Sequence, residues 1–151
     1  MQNLINMILK TTKQNEYELI DSGNGEKLER YGQYILRRPD PEALWMKSKD
    51  DNVWGKAELK FTRIGNKSKW SIKENIPKSW EIEYGRLNFS IRPTSFKHTG
   101  LFPEQLPNWK WTEELINNEN LKPKILNLFA YTGGATLACA KSGAEVCHVD
   151  G

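Results

Sequence analysis

Two kinds of hydrophobic spacing divide the chain. From Tyr17 to Ile91 the apolar residues come in short alternating runs broken by glycine, asparagine and proline, the pattern of half-buried strands joined by tight turns. This pattern predicts strands over Tyr17–Asp21, Glu26–Tyr31 and Tyr34–Arg38, with Ser22-Gly-Asn-Gly25 as one turn and Gly32 as the next break. An antiparallel meander fits the spacing, and Pro39-Asp-Pro41 ends it because proline cannot donate to a ladder. Trp54–Arg63 and Lys69–Ile72 are predicted as strands around Gly65-Asn66, and Trp80–Tyr84 and Leu87–Ile91 as a hairpin about Gly85-Arg86. Ahead of these, Asn3–Lys10 places Leu4, Ile5, Ile8 and Leu9 on one side of a short, frayed helix.

The second pattern begins with an ordered loop over Arg92–Gln105, set by Pro93, Gly100 and Pro103. Glu104–Asn117 has helical spacing, with a kink expected near Pro107 and with Trp109, Leu115 and Ile116 available for burial. Ile125–Phe129 is short, apolar and bounded by Pro123 and a glycine pair, which predicts a buried strand. The alanine-rich run after Gly134 predicts a helix, with Thr132 as its N-cap and Gly143 as its C-terminal glycine. A second strand runs to Asp150. Strand, glycine turn, helix and strand form a βαβ unit, hence a parallel sheet. The expected architecture is mixed, α+β passing into α/β: an N-terminal segment 1–14, a small antiparallel β-rich domain 15–95, and the start of a Rossmann-like domain 96–151.

Composition narrows the class. A hydrophobic content of 38% with 27% charged residues is ordinary for a globular chain and excludes disorder. Net charge is +3 but uneven: residues 1–97 hold 18 Lys+Arg and 13 Asp+Glu, giving +5, while residues 98–151 hold 4 and 6, giving −2. A basic front half suits a polyanion such as RNA, and Arg30, Arg37, Arg38, Arg63 and Arg86 with nearby aromatics are candidates to stack and pair with it. A core filled by the aromatics, with arginines in water, is the alternative for a domain of this size. Cys139 and Cys147 are the only cysteines. Both read as small core residues of a reducing compartment, and neither has metal-ligand spacing. No secretory signal or membrane-length run occurs, so a cytoplasmic protein is expected.

The chemistry concentrates after Asn127. Gly133 and Gly134 let a ligand approach the backbone where a Cβ would clash. The N–H groups and positive dipole end of the following helix favour an anionic group there. Asp150, ending the second strand, has about the spacing of an acid that accepts from ribose hydroxyls. The dinucleotide fingerprint and the P-loop are both absent, because Tyr131 and Thr132 precede a single glycine pair and no Gly-Lys-Ser/Thr occurs.

Asn127-Leu-Phe-Ala-Tyr-Thr-Gly-Gly-Ala135 together with Ala144-Glu-Val-Cys-His-Val-Asp150 resembles the first cofactor motif and second strand of class I S-adenosylmethionine-dependent methyltransferases. More narrowly it resembles the group containing the ribosomal RNA cytosine 5-methyltransferases, and Lys97-His-Thr-Gly-Leu-Phe-Pro-Glu-Gln105 is similar to that group's second signature. The general pattern closes the first strand with an acid; here it is Asn127, which the subgroup tolerates.

The resemblance implies S-adenosyl-L-methionine as cofactor and ribosomal RNA as substrate. Phe129, Ala130, Tyr131, Thr132, Gly133 and Gly134 would hold the cofactor's methionine portion and Asp150 its ribose, with Asn127 a further cofactor-binding residue. Phe102 would lie against the adenine or ribose, Gln105 would meet the amino-acid group, and His98 and Thr99 are further polar contacts. It also implies further strands, a later Asp/Asn-Pro-Pro-type motif and a cysteine nucleophile after Gly151. The chain is therefore expected to be the N-terminal part of a longer enzyme, without assigned catalytic residues and inactive alone. A non-enzymatic RNA-binding module is the rival class; a nicotinamide oxidoreductase is disfavoured by the missing glycines.

Overall fold

The computed structural model describes residues 8–65, 67–119 and 122–151. They divide into two compact units, one of Lys13–Leu101 and one joining residues 8–12 to Phe102–Gly151. Most of the helix expected over Asn3–Lys10 lies outside the described residues, and residues 8–10 are not helical.

The Lys13–Leu101 unit holds a five-stranded sheet in the order β1 (Tyr17–Gly23), β2 (Glu26–Tyr31), β3 (Tyr34–Pro39), β4 (Leu59–Ile64) and β5 (Lys67–Ile72). The first three strands form the antiparallel meander that the turn signals predict. β3 and β4 then pair in parallel over Leu36↔Leu59 and Arg37↔Lys60, so the sheet is mixed, not wholly antiparallel. β6 (Trp80–Tyr84) and β7 (Leu87–Ile91) form a separate hairpin about Gly85-Arg86. Alternation places Leu28, Leu36, Leu59 and Phe61 in the interior of the sheet, and Ile82, Tyr84, Phe89 and Ile91 in that of the hairpin.

Trp54–Arg63 is not one strand. Asp51–Trp54 forms a single helical turn, α1, and β4 begins only at Leu59. The cause is Asp21, whose buried carboxylate gathers the donors of this loop. It accepts from Ser48 Oγ at 2.8 Å, the amides of Ser48 and Lys49 at 3.1 and 2.9 Å, and Trp54 Nε1 at 2.8 Å. Turning Trp54 inward to reach it is incompatible with an extended strand. Burial alone would raise the carboxyl's pKa, but the Lys49 amide, Ser48 and the Trp54 indole outweigh it and hold Asp21 well below the carboxylate range. A depressed folded value stabilises above the unfolded pKa and ceases to do so as pH falls through the folded one. Asp21→Asn is expected to cost about 2 kcal/mol at pH 7. In paired urea melts the gap from wild type should begin to close below about pH 4.

The arginines follow neither expectation cleanly. Arg38 is buried and gives both Nε (2.8 Å) and Nη2 (2.6 Å) to Glu29 Oε2, while its Nη1 donates to the Lys97 carbonyl at 2.9 Å. The hydroxyls of Tyr17 and Tyr31 donate to Glu29 Oε1 at 3.0 and 3.2 Å. Burial, then the Glu29 charge, push both phenols far above their ordinary pKa. Arg37 gives Nε and Nη2 to Glu26, at 2.7 and 2.6 Å. Both guanidiniums organise the sheet, and buried Arg38 is not free to meet RNA.

In the second unit, a 3-10 turn over Pro103–Gln105 leads into α2 (Leu106–Glu119). Pro107 falls in the first turn, where its missing N–H breaks no helix bond, and the helix continues through it. Trp109 and Ile116 are buried, while Leu115 faces outward. β8 (Lys124–Leu128), α3 (Gly134–Lys141) and β9 (Glu145–Val149) follow. β8 and β9 pair in parallel from Lys124↔Glu145 to Leu128↔Val149, completing the βαβ unit.

The buried strand expected over Ile125–Phe129 needs correcting. Leu126 and Leu128 are 61% and 54% exposed, because α3 packs on the pair and alternate residues point away from it. Phe129 has left the strand altogether, at φ 56° and 91% exposed. The same alternation separates the cysteines. Cys139 is buried in α3, where burial and then Glu113 raise its thiol pKa, whereas Cys147 is exposed on β9 and is no core residue.

Candidate functional site

The bend from β8 to α3 has an unusual backbone. Phe129 (φ 56°), Tyr131 (φ 51°) and Gly133 (φ 90°) all adopt left-handed conformations within five residues. Glycine does this freely, but side-chain-bearing residues pay on the order of 1–3 kcal/mol each, a strain that clusters at ligand sites. Main-chain bonds fix the shape: Ala130 N donates to Val149 O (3.1 Å), Gly133 N to Ala130 O (2.9 Å) and Leu137 N to Gly133 O (2.8 Å). The last bond makes Gly133 the N-cap of α3. Thr132, expected in that role, lies one residue too early, and Gly133 has no side chain with which to cap the helix.

Gly134 is required by packing. A Cβ there would stand 2.5 and 2.8 Å from Trp109 Cζ2 and Cη2, so the indole of α2 occupies the space that any side chain would need. The Ala130–Val149 bond places the start of the bend beside the carboxyl end of β9, and exposed Asp150 follows Val149 directly. Both strand ends therefore open on one edge of the parallel pair, where ligands of α/β sheets bind.

Asn127, half-buried on β8, donates from Nδ2 to Thr136 Oγ1 at 2.8 Å, and Thr136 Oγ1 lies 2.9 Å from His148 Nδ1. The His148 ring is also the nearest neighbour of Gly133, with Cε1 3.5 Å from where a Cβ would be. Trp109, Thr136 and His148 are additions that the sequence did not nominate. His148, two residues before Asp150, had the only legible signal, a polar residue between the apolar Cys147 and Val149.

Phe102 and Tyr131 meet with ring centroids 4.9 Å apart. Gln105 is exposed in the 3-10 turn, and its Oε1 accepts from Asn108 Nδ2 at 3.0 Å. The second unit thus contains Phe102, Gln105, Asn127, Phe129–Gly134 and Asp150. His98 and Thr99 belong to the Lys13–Leu101 unit, where Thr99 is wholly buried. Among the described residues no cluster of His, Cys, Asp or Glu could hold a metal, and no helix is long and apolar enough to cross a membrane.

A tight backbone cradle at a helix start, a strand-end carboxylate and an aromatic pair fit a nucleoside joined to an amino acid. The fold is similar to part of that of S-adenosylmethionine-dependent methyltransferases. Its particular likenesses agree. A SAM-dependent methyltransferase from Agrobacterium tumefaciens superposes with a TM-score of 0.86 at 41% identity, over 97% of this chain and 47% of that one. Ribosomal RNA large subunit methyltransferase K/L of Magnetococcus marinus is 41% identical over 58 residues, 38% of this chain and 8% of that protein. A protein of Streptococcus mutans, assigned as a SAM-dependent methyltransferase, shares the fold at a TM-score of 0.57 and 19% identity, over 85% of this chain and 36% of that one. The chain thus spans less than half the length of each of these proteins. No protein-family profile matches it.

Proposed function

We propose that the protein transfers a methyl group from S-adenosyl-L-methionine to a base of ribosomal RNA in the cytoplasm, and that this chain supplies part of the cofactor site. The observation behind this reading is the left-handed bend at Phe129–Gly133 beside the end of β9, where Asp150 follows. The names of the Agrobacterium and Magnetococcus proteins support the reaction and the RNA.

In this reading Asn127 and Phe129–Gly134 hold the methionine portion, while Asp150 accepts hydrogen bonds from the ribose. Phe102 and Tyr131 offer an aromatic surface to the nucleoside, and Gln105 a polar contact. When bound, the cofactor supplies an electrophilic methyl on sulfur. The residues here orient it, and orientation accounts for much of such a rate. The finer assignment, to carbon 5 of a cytosine, rests on the resemblance of the 97–105 and 127–135 segments.

RNA binding finds support on the outer face of β4 and β5. Exposed Lys60, Lys67 and Lys69 share that face by register, opposite the buried Leu59 and Phe61. Incubating the full-length protein with methyl-labelled cofactor and ribosomal RNA should put label in the RNA, and mapping it would identify the base. Asp150→Ala is expected to lower kcat/KM for the cofactor roughly tenfold to a hundredfold, the worth of a charge-assisted hydrogen bond. Salt-sensitive RNA binding without cofactor binding would instead favour a non-enzymatic module.

A further inference from the structure

Three polar side chains from three successive elements meet beneath the bend: Asn127 of β8, Thr136 of α3 and His148 of β9. An asparagine amide has two unlike ends. Its oxygen only accepts and its nitrogen only donates, so which end faces a ligand decides which ligand group it can hold. The amino-acid part of the proposed cofactor carries an ammonium, which needs an acceptor.

We propose that Thr136 and His148 are positioning residues that lock the Asn127 amide with nitrogen inward, leaving Oδ1 as the acceptor for the cofactor's ammonium group. This rests on the cofactor reading above. Asn127 Nδ2 donates to Thr136 Oγ1 at 2.8 Å, which leaves the hydroxyl's only proton for His148 Nδ1, 2.9 Å away. The relay therefore requires the neutral tautomer of His148 with its proton on Nε2. In that tautomer a flipped amide would set Oδ1 against a second oxygen with no proton between them, at the cost of a hydrogen bond; a proton on Nδ1 would reverse both bonds. The relay also explains why His148 packs on Gly133: one ring fixes the amide and flanks the bend.

The test uses S-adenosylhomocysteine binding to the full-length protein by calorimetry. Thr136→Val removes the acceptor, and affinity should fall about tenfold, while Thr136→Ser retains it. Aspartate has two equivalent acceptor oxygens and no wrong orientation. Adding Asn127→Asp to the Thr136→Val protein should therefore restore binding, a rescue that general damage to the fold would not allow. Methylthioadenosine, which lacks the amino-acid part, should bind wild type and Thr136→Val equally. Equal affinity of wild type and Thr136→Val for S-adenosylhomocysteine would overturn the relay, as would a double variant no tighter than Thr136→Val or a matching loss with methylthioadenosine. A wild type that binds no S-adenosylhomocysteine overturns the cofactor reading, and the relay with it.

Discussion

Arg38→Met is expected to destabilise the Lys13–Leu101 unit by about 3–5 kcal/mol, the cost of leaving one half of a buried ion pair behind. Glu29 is fully buried, and its two oxygens are satisfied by Arg38, Tyr17 and Tyr31. Without the guanidinium that charge has only the two phenols and Lys27, whose Nζ is 3.7 Å away. Arg38→Lys should recover little. One ammonium cannot reproduce the pair of bonds to Glu29 while also reaching the Lys97 carbonyl. Removing both charges, with Glu29→Gln and Arg38→Met together, should cost less than Arg38→Met alone, because no uncompensated charge remains. Urea unfolding of the three variants provides the comparison. A loss below about 1 kcal/mol for Arg38→Met would mean that the pair is not the anchor described.

Gly134→Ala is expected to be the most damaging methyl addition in the second unit. Its Cβ would lie 2.5 Å from one ring carbon of Trp109 and 2.8 Å from another, inside any tolerated contact. Either the indole leaves its buried place or α3 moves off α2, and overpacking of this kind costs about 1–3 kcal/mol. Because α3 begins at that residue, the bend before it moves too. Loss of stability and loss of cofactor affinity should therefore appear together in Gly134→Ala. Trp109→Leu in the same chain should relieve the stability loss by vacating the ring's space. If Gly134→Ala melts like wild type, the packing of α2 on α3 is not as tight as described.

The strands were readable wherever a two-residue turn punctuated an alternating run, as at Gly85-Arg86 between β6 and β7. The βαβ unit was readable from its glycines and alanines. What failed depended on contacts distant in sequence. Trp54 looked like a strand residue until Asp21, 33 positions earlier, drew its indole inward. The parallel pairing of β3 with β4 spans a connection with no local signature. β8 reads as buried from its apolar residues, but α3 covers only one face of the β8–β9 pair, so alternate residues stay exposed. In the candidate site, the glycines and Asp150 announced themselves by type and spacing. Thr136 and His148 did not, since their partnership with Asn127 exists only once three elements are assembled. Trp109 gave no signal beyond being apolar, yet it dictates that position 134 has no side chain.

The most direct test is calorimetric titration of the full-length protein with S-adenosylhomocysteine, with NAD as the control nucleotide. Saturable one-site binding of the first and none of the second is the predicted outcome. Binding of NAD, or of neither compound, would contradict the claim that the Phe129–Gly133 bend and Asp150 serve a methyl donor.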